Sequence, residues 1–159
     1  TYNRIITAIK DRNIDFRHLV HDPTPTSKDS LETRIKLGWT DCTLASGAKA
    51  MLIVNSKDAE APYKLAVMAA NKKLNWKLFK KFWKKGKGAR MATQEEVLKV
   101  TGCVSGGVPP FGSFFPVKGV ETIVDPSLEA QGERINFNCG LRTRSVSIMY
   151  KDYVSVENP

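Results

Sequence analysis

A chain of 159 residues with 42% hydrophobic content can bury one core and is short for two. No apolar run approaches the roughly 20 residues a bilayer span needs, and no basic-then-apolar leader opens the chain, so a soluble cytoplasmic protein is expected. The formal charge of +9 favours a polyanionic partner, and three widely spaced cysteines without a Cys-x-x-Cys pair argue against both a disulfide framework and a zinc site. The chain begins at Thr1 and is read as a single domain over residues 1–159, either processed or excised from a longer protein.

Ile5, Ile6 and Ile9 share one helical face, with Asn13 as the stop of a short N-terminal helix. From Ile14 to His21 the pattern alternates, which predicts a strand with Ile14, Phe16, His18 and Val20 on one side. The turn Asp22-Pro23-Thr24-Pro25-Thr26-Ser27 then biases the backbone away from helix until Ser27, read as the N-cap of a helix running to about Leu37 and stopping at Gly38. His21 and Thr26 face the opening of that helix, where free N–H groups can meet an anion or a carbonyl. Taken alone, His21 reads as a hydrogen-bonded turn histidine.

Lys49 begins the apolar run Lys49–Val54, a buried strand, and Lys64–Ala69 is a second that can pair with it. A lysine entering such a strand either snorkels to the surface or meets an anion, carbonyl or ligand. Between Ala61 and Gln94 there is no acidic residue at all. Within that stretch Asn75–Lys85 has helical periodicity, with Trp76, Leu78, Phe79, Phe82 and Trp83 expected on one inward face. Lys77, Lys80, Lys81, Lys84 and Lys85 form a basic outer face, and Lys87 and Arg90 extend it into a glycine-bounded loop. Such a face suits phosphates, a membrane surface or an acidic protein.

Thr93-Gln94-Glu95-Glu96 is a capping box for a helix through Val100, ended by Gly102. The following stretch, Ser105-Gly106-Gly107-Val108-Pro109-Pro110-Phe111-Gly112-Ser113, reads as a rigid backbone cradle: glycines let N–H groups approach a ligand and prolines stiffen the exit. Strands are expected at Gly119–Asp125, Arg134–Asn138 and Ser145–Tyr150, with a turn or short helix at Pro126-Ser127-Leu128 and a terminal turn capped by Asp152. The fold class is α+β.

The ordered set Pro25-Thr26-Ser27, Gly47-Ala48-Lys49, Gly102-Cys103-Val104, Gly106 to Gly112, Val124-Asp125-Pro126-Ser127-Leu128 and Phe137-Asn138-Cys139-Gly140-Leu141-Arg142-Thr143 resembles the YbaK-like aminoacyl-tRNA editing domains, which include the insertion domain of bacterial prolyl-tRNA synthetase and free-standing relatives. The match spans about Asp15 to Val154 and rests on order and spacing, since no single motif decides it. The resemblance implies a central mixed or antiparallel, partly barrel-like sheet of six to seven strands flanked by helices. It also implies hydrolysis of the ester joining a wrong, small amino acid to a proline- or threonine-type tRNA. By the same resemblance Lys49 is the catalytic residue. Gly106, Gly107, Val108, Pro109, Pro110, Phe111 and Gly112 shape the substrate pocket together with His21, Thr26 and Ser27. Pro109 departs from the pattern by removing one backbone N–H. The basic stretch Lys77 to Arg90 is the tRNA-binding surface, a synthetase or multi-synthetase complex is a candidate partner, and neither metal nor cofactor is called for.

An aminoacyl ester is already activated, so a positioned water and a stabilised oxyanion suffice, and Lys49 need not act as a base. Two other classes stay open. One is a catalytically silent tRNA-binding scaffold module. The other is a cysteine hydrolase built on Cys103 or Cys139 with His21, although neither cysteine lies in a nucleophile motif.

Overall fold

The computed structural model describes residues 1–83 and 86–159. Helix α1 (Tyr2–Asp11) buries Ile5 and Ile9, as their spacing requires, and Asn13 turns the chain with a φ of +53°. Strand β1 (Phe16–Val20) follows, then α2 (Ser27–Lys36), β2 (Ala48–Val54), β3 (Tyr63–Ala69), α3 (Trp76–Phe82), the two-residue β4 (Arg90–Met91) and α4 (Gln94–Thr101). A 3₁₀ turn at Gly112–Phe114 leads to β5 (Glu121–Val124), α5 (Ser127–Ala130), β6 (Arg134–Asn138), β7 (Arg144–Met149) and α6 (Tyr150–Glu157).

The strands form two sheets. One has the order β1-β7-β6 and is antiparallel; the other has the order β4-β2-β3-β5, with β3 and β5 parallel and the rest antiparallel. The sheets meet along one seam, where Gly47 bridges Asn136 and the Asn136 N–H donates to the Ser46 carbonyl at 2.8 Å. They wrap partly around a shared core without closing into a barrel. That core takes Leu52, Leu65 and Val67 from the four-stranded sheet and Ile135, Phe137, Val146 and Ile148 from the three-stranded one. Phe111 sits among them, with ring centroids 5.1 Å from Tyr153 and 5.4 Å from Phe137, an edge-to-face geometry that favours the ring quadrupoles. On the opposite face of the four-stranded sheet, Ile53, Ala66 and Met68 pack under Phe79 and Trp83. Strand β3 is therefore covered on both faces, which its unbroken apolar run requires.

Four local expectations change. The α2 cap is Thr26, one residue earlier than expected, because its hydroxyl accepts from Asp29 N–H while the Asp29 carboxylate takes the Thr26 N–H. Strand β1 is an edge strand, so its alternation is only partly realised: Phe16 packs inward, but His18 and Val20 are exposed. The aromatic face of α3 divides in two. Phe79 and Trp83 are buried, whereas Leu78 and Phe82 are 62% and 65% exposed, since at 100° per residue they lie to one side of the inward stripe. The C-terminal turn is a full helix, α6, held by Tyr153 and by Glu157. Among the described residues no helix is long and apolar enough to cross a membrane.

Candidate active site

Helix α2 has few apolar residues, and those it has are not the ones it buries. Ser30 and Arg34, four apart on one face, are buried at 4% and 5% exposure, while Ile35 and Leu37 lie outside. The helix thus rests on a polar floor, supplied by β6 and β7. Arg34 donates from Nε to Ser145 Oγ at 2.9 Å and from Nη2 to Asn138 Oδ1 at 3.1 Å. Asn138 Nδ2 in turn donates to the Gly106 carbonyl at 2.9 Å and to Thr24 Oγ1 at 3.2 Å. One asparagine therefore joins the Gly/Pro loop, the turn before α2 and the buried guanidinium.

Above this floor is a cleft of about 100 Å³, bounded by α2, the start of β2, the end of β6 and the loop at Gly106. Thr26 and Ser27 bring the N-terminus of α2 to it, and Lys49 enters from β2. Among the described residues no Asp or Glu lines it. Lys49 is part-buried, and its Nζ donates to the Lys72 carbonyl at the rim. Burial, and then the charge of Lys73, hold its ammonium below the usual lysine range. The snorkelling expected for Lys49 therefore ends on a backbone carbonyl at the cleft mouth.

The loop residues divide between lining and anchoring. Gly106 and Val108 border the cleft. Gly106 has a φ of +87°, and a Cβ there would stand 2.7 Å from the Pro25 carbonyl oxygen, so the close approach of loop and α2 turn depends on glycine. Gly107, Pro109, Pro110, Phe111 and Gly112 are buried beside it instead. Phe111 fills the core, Pro110 offers its carbonyl to Tyr153 OH at 2.9 Å, and the Gly112 N–H donates to Thr122 Oγ1 at 3.0 Å. Their rigidity sets where Gly106 and Val108 stand.

His21 does not line the cleft. Its Nδ1 lies 2.7 Å from the Asp22 carbonyl, which can only accept, so Nδ1 carries a proton. Its Nε2 is 2.8 Å from Ser145 Oγ, the same hydroxyl that takes Arg34. The cysteine-hydrolase alternative loses its parts here. Cys103 and Cys139 are buried and free, burial pushes the Cys103 thiol up and the Cys139 thiol up to about 12, and neither bonds to His21.

On α3, Lys77, Lys80 and Lys81 are exposed, with Lys80 Nζ 5.6 Å from the Trp76 ring centroid, and Lys87 is exposed beyond the helix. Lys84 and Lys85 lie outside the described residues. Arg90 is exposed but forked onto the Glu96 carboxylate at 2.8 and 2.7 Å, so part of its charge is met within the chain. Lys72 and Lys73, exposed between β3 and α3, stand beside Lys49.

Sequence reasoning missed Arg34, Asn136 and Asn138. A signal existed for Arg34: on α2 the Ser30/Arg34 spacing competes with the Leu31/Ile35 spacing for the inward face, and only the polar floor decides it. Asn138 sits inside the Phe137–Thr143 stretch that carries the resemblance, yet nothing in that stretch marks it as the joint between loop and helix.

The model of the aminoacyl-tRNA editing domain family matches residues 21–156. The chain is 29% identical over 159 residues to the multifunctional Ser/Thr-tRNA deacylase ProXp-y of Escherichia coli, covering all of this chain and 89% of that protein. Among solved structures it is similar to a hypothetical protein (TM-score 0.78, 22% identity, 98% and 94% of the two chains). It is also similar to a protein assigned as a trans-editing enzyme for prolyl-tRNA synthetase (TM-score 0.71, 21% identity, 99% and 91%). At those identities the structural likeness establishes the fold. The family match covers nearly the whole chain and takes in both the Lys49 strand and the Gly/Pro loop, and on it this protein belongs to the aminoacyl-tRNA editing domain family, which removes wrong amino acids from tRNA by hydrolysis.

Proposed function

We propose that residues 1–159 form one editing domain that deacylates tRNA carrying a small hydroxylated amino acid, serine or threonine, with Lys49 as the catalytic residue. The observation that carries this reading is the placement of Lys49 at the mouth of a small, polar-floored cleft into which α2 and the Gly/Pro loop both open. A cleft of about 100 Å³ is well below the roughly 300–1,000 Å³ of pockets for drug-sized ligands, which suits a short side chain rather than a nucleoside. The ester carbonyl then sits at the mouth. The part-buried Lys49 ammonium stabilises the charge that develops on the carbonyl oxygen or holds the terminal phosphate, and the free N–H groups at the start of α2 stand beside it.

Among the described residues no carboxylate lines the cleft to serve as a base. Asp29 is tied into the α2 cap, and His21 is committed to Asp22 and Ser145. The chemistry that fits is attack by a water, assisted by the substrate's own ribose hydroxyl or phosphate, with electrostatic stabilisation as the enzyme's main contribution. The lysines of α3 and Lys72, Lys73 and Lys87 neutralise acceptor-stem phosphates without reading sequence. On this reading the domain acts in the cytoplasm, beside a synthetase of the proline or threonine type. The similarity to a Ser/Thr-tRNA deacylase over the full chain supports the amino-acid class.

The test is a deacylation screen with serine, threonine, alanine and cysteine on proline and threonine tRNAs. Hydrolysis of seryl or threonyl esters well above the buffer rate is expected. Binding without hydrolysis of any ester would instead make this a silent tRNA-binding module.

A further inference from the structure

A buried cation normally has a carboxylate beside it, because removing a charge from water costs several kcal/mol unless it is paired. Arg34 has none among the described residues. It is 5% exposed, and its bonded partners, Ser145 Oγ and Asn138 Oδ1, are neutral oxygens. Burial lowers its guanidinium to about 10, which still leaves it cationic at neutral pH. Nε and Nη2 are satisfied, while Nη1 makes no hydrogen bond among the described residues, and Arg34 lines the cleft. Its plane is fixed from behind, since the Asn138 amide that receives Nη2 is itself held by Gly106 and Thr24. The result is a rigid, charged group lining the cleft, with one donor that is neither bonded nor sealed in the core.

What it can meet is limited by the chemistry of the substrate. The terminal phosphate stays with the ribose, on the mouth side, where Lys49 and Lys73 already stand. The α-ammonium of an aminoacyl ester is repelled by a guanidinium. Only the side chain of the amino acid reaches the floor, and the group on it that pairs with an N–H donor is a neutral oxygen.

Resting on the deacylase reading above, we infer that Arg34 is the specificity-determining residue of the cleft. Its free Nη1 donates to the side-chain hydroxyl of a seryl or threonyl ester, so that alanyl and 2-aminobutyryl esters, which lack only that oxygen, are turned away. A site built to hydrogen-bond a hydroxyl discriminates strongly against the analogue without it, because the donor is left unpaired.

The experiment is single-turnover deacylation of one tRNA carrying serine, alanine, threonine or 2-aminobutyrate, with the wild type, Arg34→Met and Arg34→Lys. The wild type is expected to favour serine over alanine and threonine over 2-aminobutyrate by at least about tenfold. Arg34→Met should lower the seryl and threonyl rates by that factor or more and change the other two less than about threefold, collapsing both ratios; Arg34→Lys should keep part of the preference. Equal wild-type rates within each pair would overturn the inference, as would a uniform drop of all four in Arg34→Met, which is what a residue that merely seats α2 would give. If thermal melting shows that Arg34→Met does not fold, the wild-type pairs and Arg34→Lys decide, a lysine variant with undiminished ratios counting against the inference. Failure of the wild type to hydrolyse any of the four esters would instead overturn the deacylase reading itself.

Discussion

Replacing Lys49 by methionine keeps most of the apolar stem and removes only the ammonium, so it separates charge from packing. In the folded protein that ammonium donates to a single backbone carbonyl, that of Lys72, at a solvent-facing rim. It is also held in an environment that disfavours its charge, through burial and Lys73. Losing the bond and losing the unfavourable charge offset each other, and the net stability change should stay within about 1 kcal/mol, or roughly 2–4 °C in Tm for a chain of this size. In the transition state the balance is different. A preorganised donor aimed at a developing oxyanion is worth about 2.7–4 kcal/mol, so the single-turnover rate should fall by about 10²–10³-fold. Binding of uncharged tRNA, which the proposal assigns to the α3 lysines, should change little. The pH dependence adds a sign. The native ammonium titrates below 10.5, so a rate that needs the cation falls as pH rises through the lowered value, whereas a rate that needs a neutral lysine base rises through it. Removing Lys73 relieves part of the depression and should move the alkaline limb upward. After correction for uncatalysed hydrolysis, a Lys49→Met rate above about a third of wild type would refute the assignment of Lys49 as catalytic; that is well short of the smallest loss expected.

Three further outcomes follow from the same geometry. Changing Lys77, Lys80 and Lys81 together to glutamine should flatten the plot of log affinity against log salt by about 2 units, at roughly 0.7–0.9 per neutralised phosphate, while Arg90→Gln should change it less because Glu96 already holds Arg90; filter binding at several salt concentrations checks both. Gly106→Ala forces a left-handed residue and sets a Cβ 2.7 Å from the Pro25 carbonyl oxygen, so it should cost at least about 1–2 kcal/mol in urea unfolding and also lower kcat/KM, since the Gly106 carbonyl anchors Asn138; unchanged values of both would remove the loop's positioning role. Glu157 is buried against Ser113 and Thr122, and burial raises its carboxyl above 4.5 despite their hydrogen bonds. Its native state therefore keeps the proton to higher pH than the unfolded chain, a contribution complete below about 4.5 and lost as pH rises through the native value. The stability of wild type relative to Glu157→Gln should accordingly decline with pH above 4.5, and a flat difference would contradict the raised value.

How far the sequence reaches depends on whether local pattern and tertiary environment agree. For β2 and β3 they do: apolar runs bounded by turns are what a central pair of strands needs, and the observed register is Lys49 opposite Met68. The capping box at Thr93 and the αL glycine at Gly102 are equally legible, because each is complete within a few residues. The α2 cap moved one residue because Thr26 and Ser27 are both competent caps, and only Asp29, three residues after Thr26, selects between them. On α3 a run of five large apolar residues looked like one face but spans more arc than a single neighbour can cover, so Leu78 and Phe82 fall outside it. The Gly/Pro loop was legible as rigid, yet which of its residues touch the cleft depends on how deeply Phe111 is drawn into the core, a long-range packing outcome.

The distribution of carboxylates explains why the candidate chemistry is electrostatic. Asp41 holds Arg17, Asp15 holds Arg134, Glu121 holds Lys64, and Glu96 both caps α4 and holds Arg90. Asp29 caps α2, and Glu157 fastens the C-terminal helix to Ser113 and Thr122. Each of these acids is committed to the scaffold, and none lines the cleft. Among the cations outside that pairing are Lys77, Lys80 and Lys81 on α3, then Lys73, Lys49 and Arg34. On the proposed reading, a polyanion drawn along these cations meets the Lys49 ammonium with its terminal ester and the Arg34 guanidinium with its amino acid. Placing a carboxylate on the floor, for example by Ser30→Asp one turn before Arg34 on α2, should quench that arrangement by pairing Arg34 from within while leaving the Asn138 donors in place. Seryl and threonyl rates should fall while the fold gains an ion pair, and retention of both rates with the salt bridge formed in a crystal structure would show that the open guanidinium is not what the substrate requires.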